Sequence, residues 1–186
     1  MNATFHQACS ILPKDTIAEA AYYVEETFQS KKKITNKDRE EFKVTATAEF
    51  LIEMLGPSNI RTLLDYLSGY TNDKGESPIA LNAFFQRFEH HGEHVSPYHT
   101  DGQAISLVIL LNDDYMGGEM TFLSGAGPST IQTEAGSATI HGPGVVHGNA
   151  ALYGVKYQLT LVAFRNLKNK SPLGMFEGYL NKEIDA

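Results

Sequence analysis

Hydrophobic and polar positions follow two different patterns along the chain, and the change falls near residue 78. Before it, apolar residues recur at helical spacing; after it, short β-rich runs are bounded by Gly, Pro, Asn and Asp. The pattern predicts a single domain over residues 1–186. Within it we expect a helical support segment over 1–77, a β core over 78–165 and a C-terminal extension over 166–186.

Three helices are predicted in the first segment. The first has a capping box of Thr16 and Glu19 after Pro13, the second covers residues 38–55, and the third begins with Ser58 as its N-cap. This third helix runs to Gly69, and its apolar residues recur at helical spacing. The apolar face of the first helix holds Ile17, Ala21, Val24 and Phe28. Turn residues and charges predict loops over residues 31–41 and 70–77.

The β core has no helical run long enough to cross between parallel strands, so an antiparallel arrangement is predicted. The fold class is therefore mostly β with flanking helices: a double-stranded β-helix (jelly roll, cupin-like) preceded by the helical segment. The expected strands are Ile79–Phe88, Ala104–Leu111, Glu119–Leu123, Thr130–Thr133, Ser137–Ile140 and Val155–Phe164.

Composition narrows the class of partner and the compartment. Of the 186 residues, 15 are Lys or Arg and 22 are Asp or Glu, a net charge of −7 that disfavours nucleic acid and anionic membrane surfaces. Cys9 is the only cysteine, which excludes an intrachain disulfide and favours the reducing cytoplasm. The sequence shows no signal peptide and no apolar run of membrane-spanning length.

The strongest chemical signal is His99-Thr100-Asp101. Residues at i and i+2 of an extended segment point to the same side, so one imidazole and one carboxylate can share a metal ion. A second histidine from a distant strand would complete two imidazoles and one carboxylate, the ligand set of non-haem Fe(II) oxygenases. Downstream, His141 and His147 compete for that third position.

The ordered succession after Asp101 resembles the prolyl 4-hydroxylase-like branch of the 2-oxoglutarate/Fe(II) dioxygenases. A β run ends in Leu110-Leu111-Asn112 and is followed by Gly117–Phe122, Gly136–Ile140, His147 and Gly154–Tyr157. The similarity covers residues 84–165. It implies a jelly-roll hydroxylase that uses Fe(II), O2 and 2-oxoglutarate as cosubstrate and releases succinate and CO2.

Carried over residue by residue, the resemblance makes His99, Asp101 and His147 the iron ligands. Lys156, nine positions after His147, then matches the basic residue that pairs with the far carboxylate of 2-oxoglutarate. Its strand independently predicts an apolar face opposite a polar face that holds Lys156, Gln158 and Thr160, and a buried lysine needs an anionic partner. Many family members have a tyrosine where this chain has Leu110, so Ser106, Thr160 or Gln158 would supply the remaining anchor for the cosubstrate.

The substrate implied by the resemblance is proline, another amino acid or a prolyl residue of a peptide. Because Asp101 fills the position that related halogenases leave to a small residue, hydroxylation is expected. Two other classes compete: a cupin-type metal-binding isomerase or binding module that does not turn over 2-oxoglutarate, and a catalytically silent interaction domain.

Several charged residues and histidines have two interpretations. His90, His91 and His94 are loop histidines or contact the substrate. Arg87 and Arg165 form surface ion pairs or hold a substrate carboxylate.

Overall fold

The computed structural model describes residues 5–8, 10–31, 41–69, 80–102, 104–131 and 134–164, and Arg165, the C-terminal extension and the predicted 70–77 loop lie outside these ranges. The described part of the chain contains three helices: α1 (Lys14–Lys31), α2 (Ala48–Leu55) and α3 (Pro57–Gly69). It also contains nine strands: β1 (Phe5–Ala8), β2 (Glu41–Ala46), β3 (Ala80–His99), β4 (Ala104–Leu110), β5 (Met116–Gly117), β6 (Met120–Ser124), β7 (Gly127–Ile131), β8 (Ala138–His141) and β9 (Val146–Phe164).

The helix starts differ from the predicted caps. Helix α1 begins at Lys14, where the N–H of Ile17 donates to the carbonyl of Pro13, so Thr16 lies inside the first turn and does not cap the helix. Helix α3 begins at Pro57, which has no N–H to satisfy at the first helical position. The predicted cap at Ser58 is therefore wrong by two residues, since Gly56 precedes the helix and its carbonyl accepts from Ile60.

The predicted helix over residues 38–55 is wrong in its first half, because residues 41–46 form β2. Phe42 and Val44 contact the core while Lys43 and Thr45 are exposed, which is the alternation of a strand. Thr47 then caps α2 by accepting a hydrogen bond from the N–H of Phe50 at 3.3 Å. Residues 1–77 consequently contribute two strands as well as helices.

The predicted antiparallel β core is confirmed. Its main path has the strand order β1-β8-β4-β9-β3-β2, with every neighbouring pair antiparallel. Strands β3 and β9 are 20 and 19 residues long and stay paired from Ala80–Phe164 to His99–His147. The first half of β9 also pairs with β5 and β6, and β6 pairs with β7. These two long strands therefore belong to both halves of the jelly roll.

The two faces of the main sheet have opposite character. One face packs against the three helices and contains four of the five predicted apolar positions of β9: Tyr157, Leu159, Leu161 and Ala163, but not Val155. The other face carries polar side chains and lines a cavity. Burying each large aliphatic side chain contributes about 1.5–3 kcal/mol, so the apolar face stabilises the scaffold that holds the polar one. The helix-facing core includes Leu159, Leu161, Ala163, Phe85, Ile105, Leu107, Ile17, Val24, Leu51 and Leu63.

Among the described residues, no helix is long and apolar enough to cross a membrane.

Candidate functional site

A cavity of about 620 Å³ lies on the polar face of the sheet, between the two halves of the jelly roll. Residues of β2, β3, β4, β8 and β9 line it, together with Met120 of β6. The cavity contains the histidines and the carboxylate that the sequence singled out. Its chemically important lining residues are His99, Asp101, Ser106, His141, His147, Gln86, Gln158 and Thr160.

His99, Asp101 and His147 meet at one end of the cavity. His99 ends β3, Asp101 follows two residues later, and His147 lies opposite His99 in the β3–β9 ladder. The three residues each offer a ligand atom, and these atoms all lie within 4.8 Å of one another. Asp101 Oδ1 is 3.4 Å from His99 Nε2 and 3.8 Å from His147 Nε2. Ligand atoms on one metal ion with bonds of about 2.1 Å lie about 3–4.2 Å apart, so this spacing fits a divalent cation.

The backbone orients both imidazoles for metal binding. His99 Nδ1 lies 2.8 Å from the carbonyl of Pro97, and His147 Nδ1 lies 3.1 Å from the carbonyl of Val145. Because a carbonyl only accepts, each Nδ1 must carry a proton, so Nε2 is the nitrogen of each ring that can offer a lone pair to a metal, and both Nε2 atoms lie near Asp101. Burial lowers the pKa of His147, which favours the neutral imidazole that a metal requires.

Asp101 divides its two oxygens between different neighbours. Oδ1 faces His99 and His147, whereas Oδ2 accepts a hydrogen bond from the hydroxyl of Ser106. Ser106 was expected to contact a cosubstrate; it lines the cavity, but its hydroxyl holds the carboxylate. This hydrogen bond orients Oδ1 toward the two imidazoles.

His141 joins the same cluster. Its Nε2 lies 3.7 Å from Asp101 Oδ2, and its ring is 4.1 Å from that of His147. The side chain is fully buried, and neither ring nitrogen makes a hydrogen bond to the described residues. Burial, reinforced by the neighbouring His147, lowers the pKa of His141 to about 4, so this imidazole is neutral at physiological pH. From the sequence, His141 and His147 were alternatives for the third metal ligand, whereas the fold brings both histidines close to Asp101.

Thr160 and Gln158 line the middle of the cavity, as their shared strand face predicted. Thr160 Oγ1 and Gln158 Nε2 each donate to Gln86 Oε1 at 2.8 Å, and Gln158 also donates to Thr160 at 3.2 Å. Gln86 and Gln158 are cross-strand partners on β3 and β9. The three side chains give the cavity a buried polar wall.

Lys156 shares this strand face but does not line the cavity. Its cross-strand partner Phe88 does, and Lys156 Nζ instead donates to the carbonyl of Gly118 at 2.9 Å. Burial lowers the pKa of Lys156 to about 8, while the nearby carboxylate of Glu119 acts in the opposite direction. Among the described residues, no carboxylate lies within 4 Å of this ammonium.

Arg87 lies on the helix-facing side of the sheet, away from the cavity. Its guanidinium binds Glu25 at 2.8 Å and Glu89 at 2.7 Å and lies over the ring of Phe28. An ion pair was expected at this position, and it is present, although Arg87 is buried rather than on the surface.

His90, His91 and His94 belong to β3, so their description as loop residues is wrong. The β3–β9 register shifts between His91 and His94, where Gly92 has φ +113°. His90 is buried and His91 is exposed, and neither lines the cavity.

Sequence reasoning missed the contribution of β2 to the cavity. Lys43 and its cross-strand partner Gln86 share the polar face, and Lys43 Nζ lies 3.3 Å above the ring of Phe84. The alternation from Phe42 to Ala46 was the available signal, and the helix assigned there concealed it.

Comparison with known proteins gives matches in structure only. No family model and no curated protein sequence matches the chain. A prolyl-4-hydroxylase from Pseudomonas putida superposes with a TM-score of 0.65 at 14% identity, over 89% of this chain and 94% of that one. The α-ketoglutarate-dependent non-haem epimerase SnoN from nogalamycin biosynthesis gives 0.63 at 17% identity, over 88% and 77%.

HygX from Streptomyces hygroscopicus, solved with nickel and 2-oxoglutarate bound, gives 0.58 at 12% identity, over 91% and 85% of the two chains. The chain therefore has the fold of prolyl 4-hydroxylases and other 2-oxoglutarate-dependent enzymes, as the sequence resemblance predicted. Since the fold also carries an epimerase, the reaction has to be argued from the site.

Proposed function

We propose that this protein is an Fe(II)- and 2-oxoglutarate-dependent dioxygenase that hydroxylates an unactivated C–H bond. The observation that carries the proposal is the group of His99, Asp101 and His147, whose donor atoms lie within 4.8 Å of one another at one end of the cavity. Two imidazoles and one carboxylate suit Fe(II) and leave coordination positions open. When bound, Fe(II) would activate O2, which is the oxidant, and 2-oxoglutarate would supply two of the four electrons that O2 takes up, leaving as succinate and CO2.

The protein's own part is to hold the ligands and exclude water. The carbonyls of Pro97 and Val145 fix the tautomers of His99 and His147, and Ser106 fixes the rotation of the Asp101 carboxylate. Phe122 packs against the ring of His147 and is buried, so this side of the centre is dry.

We propose that Lys156 and Thr160 bind the far carboxylate of 2-oxoglutarate. Support comes from the buried ammonium of Lys156, which has one described hydrogen bond although it offers three donors. To reach the cavity, the side chain must exchange its bond to Gly118 for the carboxylate. That exchange gains a charge-assisted hydrogen bond, which is stronger than one to a neutral carbonyl.

The proposed substrate is a small molecule or peptide, with proline or another amino acid as the first candidate. The cavity volume falls in the usual range for ligand sites of about 300–1,000 Å³, which leaves room for a molecule of this size beside the cosubstrate. A screen of amino acids and proline-containing peptides by mass spectrometry would identify the substrate as the compound that gains the mass of one oxygen atom.

A cupin-type metal-binding protein without 2-oxoglutarate turnover is the second candidate. It is favoured by the position of Lys156 outside the cavity lining and by the third imidazole, His141, beside Asp101.

Anaerobic titration of the metal-free protein with Fe(II), with and without 2-oxoglutarate, separates the two candidates. The dioxygenase should show a weak visible charge-transfer band that needs both components. A cupin-type protein should bind the metal and show no such band, and a silent interaction domain should bind neither.

A further inference from the structure

The cluster around Asp101 contains one more imidazole than a two-histidine, one-carboxylate centre uses. The rings of His99 and His141 both lie beside that of His147, with ring centroids 4.4 Å and 4.1 Å from it. The closest Nε2-to-carboxylate distances are 3.4 Å for His99, 3.8 Å for His147 and 3.7 Å for His141. His141 is therefore as near to the carboxylate as the two proposed ligands, although its nearest oxygen is Oδ2 and theirs is Oδ1.

His141 has no well-formed hydrogen bond that would hold its ring nitrogens. The side chain is fully buried on β8, and neither ring nitrogen makes a hydrogen bond of normal length and angle to the described residues, although the backbone of Gly142 is close enough to raise the pKa of the ring. Buried polar atoms are nearly always paired, so an orphaned imidazole that lines a cavity indicates a ligand in that cavity. Phe122 packs edge-on against its ring at 5.6 Å, which holds the ring but satisfies neither nitrogen.

We propose that His141 is a fourth, exchangeable protein ligand to the metal, bound when the cavity holds no dicarboxylate. This inference rests on the proposed metal centre formed by His99, Asp101 and His147. Among the described residues, the compact group within 4.8 Å contains those three and not His141, so the ring of His141 must shift toward the metal to bind. A ligand that binds only after such a shift is held less firmly than the other three.

A fourth protein ligand would change how many positions on the metal are open to the cosubstrate and O2. Three protein ligands leave three positions on an octahedral metal, and 2-oxoglutarate would take two of them. With His141 bound, two positions remain, which is too few for the cosubstrate and O2 together. Because His141 lines the cavity that would hold the cosubstrate, an imidazole that moves onto the metal from there would take one of the positions that 2-oxoglutarate uses. His141 should therefore strengthen metal binding in the absence of 2-oxoglutarate and oppose 2-oxoglutarate binding, and linkage requires the two effects to be coupled.

The test measures both affinities in the parent protein and in His141→Phe, which keeps a ring against Phe122 and removes the donor. Co(II) serves as the probe, with its dissociation constant from chelator competition and its coordination from visible absorption. We expect Co(II) alone to bind His141→Phe about tenfold more weakly, and 2-oxoglutarate to bind the Co(II)-loaded variant about five-fold more tightly or better, as allosteric couplings usually run. The visible spectrum of the Co(II)-loaded parent should change on removal of the imidazole.

His90→Phe is the matched control, because His90 is also a buried histidine with an orphaned nitrogen but does not line the cavity. It should change neither affinity. If His141→Phe does not fold, His141→Leu replaces it.

Unchanged affinities in the His141 variant would overturn the inference, and so would a loss of both affinities, because a merely structural residue weakens them together. A parent protein that binds no Co(II) would overturn the proposed function itself.

Discussion

Asp101 is the residue on which the site depends, because each of its oxygens has its own set of neighbours. Oδ1 faces the two imidazoles of the proposed centre, and Oδ2 faces Ser106 and His141. A carboxylate held on one oxygen presents the other in a fixed direction, which raises the affinity for a metal. The identity of the metal ligands therefore depends on which histidines face Oδ1.

Replacement of the two downstream histidines distinguishes their roles. We expect His147→Ala to abolish Fe(II)-dependent succinate formation, because it removes one of three ligands and the cross-strand partner of His99. His141→Ala should keep a measurable rate, since the three-ligand group is intact. Succinate release under O2 measures both. The reverse result would transfer the metal to His141.

Lys156 is expected to control cosubstrate affinity far more than folding. Lys156→Ala should raise the dissociation constant of 2-oxoglutarate by about 30-fold or more, because an unpaired buried carboxylate costs roughly 2–5 kcal/mol. Lys156→Arg should keep partial affinity, since the charge remains and the donor geometry changes. Titration of the charge-transfer band gives the constants. Iron binding without cosubstrate should be nearly unaffected.

The pH dependence of that affinity is a second check on Lys156. Burial lowers its pKa to about 8, so the cosubstrate-free protein loses the ammonium as the pH rises above that value. A bound carboxylate raises the same pKa, and affinity should therefore fall between the two values by up to tenfold per pH unit. Lys156→Arg should show no such decline near pH 8. If Lys156→Ala bound 2-oxoglutarate as tightly as the parent, the cupin-type candidate would gain.

Single-residue roles were only partly predictable from the sequence. The i, i+2 spacing of His99 and Asp101 predicted that their side chains lie together, and the alternation along β9 predicted that Gln158 and Thr160 share a polar face; both are local properties and both are present. The position of His141 beside Asp101 and the bond from Ser106 depend on how β4 and β8 align with each other, which no local pattern reports. Lys43 was missed because the apolar residues around it fit both a helical period and a strand period, and a helix was predicted there.

The elements that carry the site are held by contacts on the opposite side of the sheet. Helix α1 is fastened to β3 and β9 by Glu25, which accepts from Arg87 at 2.8 Å and from the hydroxyl of Tyr157 at 2.6 Å. Burial alone would raise the pKa of Glu25, but hydrogen bonds from Tyr157, Gln29 and Arg87 lower it. β3 ends at His99, and β9 begins one residue before His147. The bonds from Glu25 to these two strands therefore hold the sheet that carries the cavity on its other face.

Loss of the Arg87 ion pairs should destabilise the fold. We expect Arg87→Ala to lower the free energy of unfolding by about 2–3 kcal/mol, less than for a fully buried pair because Glu25 is partly exposed. Urea unfolding at neutral pH measures it. The loss should shrink as the pH falls below 4.5 and through the lowered pKa of Glu25, where the carboxylate is protonated in the parent too.

Tyr157→Phe is the control for the contacts of Glu25, since it removes one hydrogen bond and should lower the free energy of unfolding by about 1 kcal/mol. A value for Arg87→Ala within about 0.5 kcal/mol of the parent would show that the ion pairs contribute nothing to stability.

Helix and strand types were predicted where one period dominates, and boundaries were not. The run from Val155 to Phe164 is part of a strand, as predicted, but β9 begins nine residues earlier, at Val146, because its first half pairs with β6 and β3. Glycines at 148 and 154 made that half resemble turns. Pairing with neighbouring strands overrode the local preference.

Across the whole molecule, the proposed centre joins the ends of the two longest strands. His99 and His147 face each other at the last rung of the β3–β9 ladder, and Asp101 follows β3 immediately. A metal bound to all three would tie this rung together only in the folded state. Ligand binding should therefore stabilise the entire fold and not merely the site.

Thermal unfolding tests this coupling and distinguishes all three functional classes. A ligand at 100 times its Kd adds about 2.7 kcal/mol of stability, which raises the Tm of a domain of this size by roughly 5–11 °C. For a dioxygenase, Fe(II) without oxygen should raise the Tm, and 2-oxoglutarate should add a further increase only when the metal is present. Asp101→Ala should lose both increments, since the carboxylate is the ligand shared by the cluster. A rise with metal and no further rise with 2-oxoglutarate would indicate the cupin-type protein, and no rise with either would indicate a silent interaction domain.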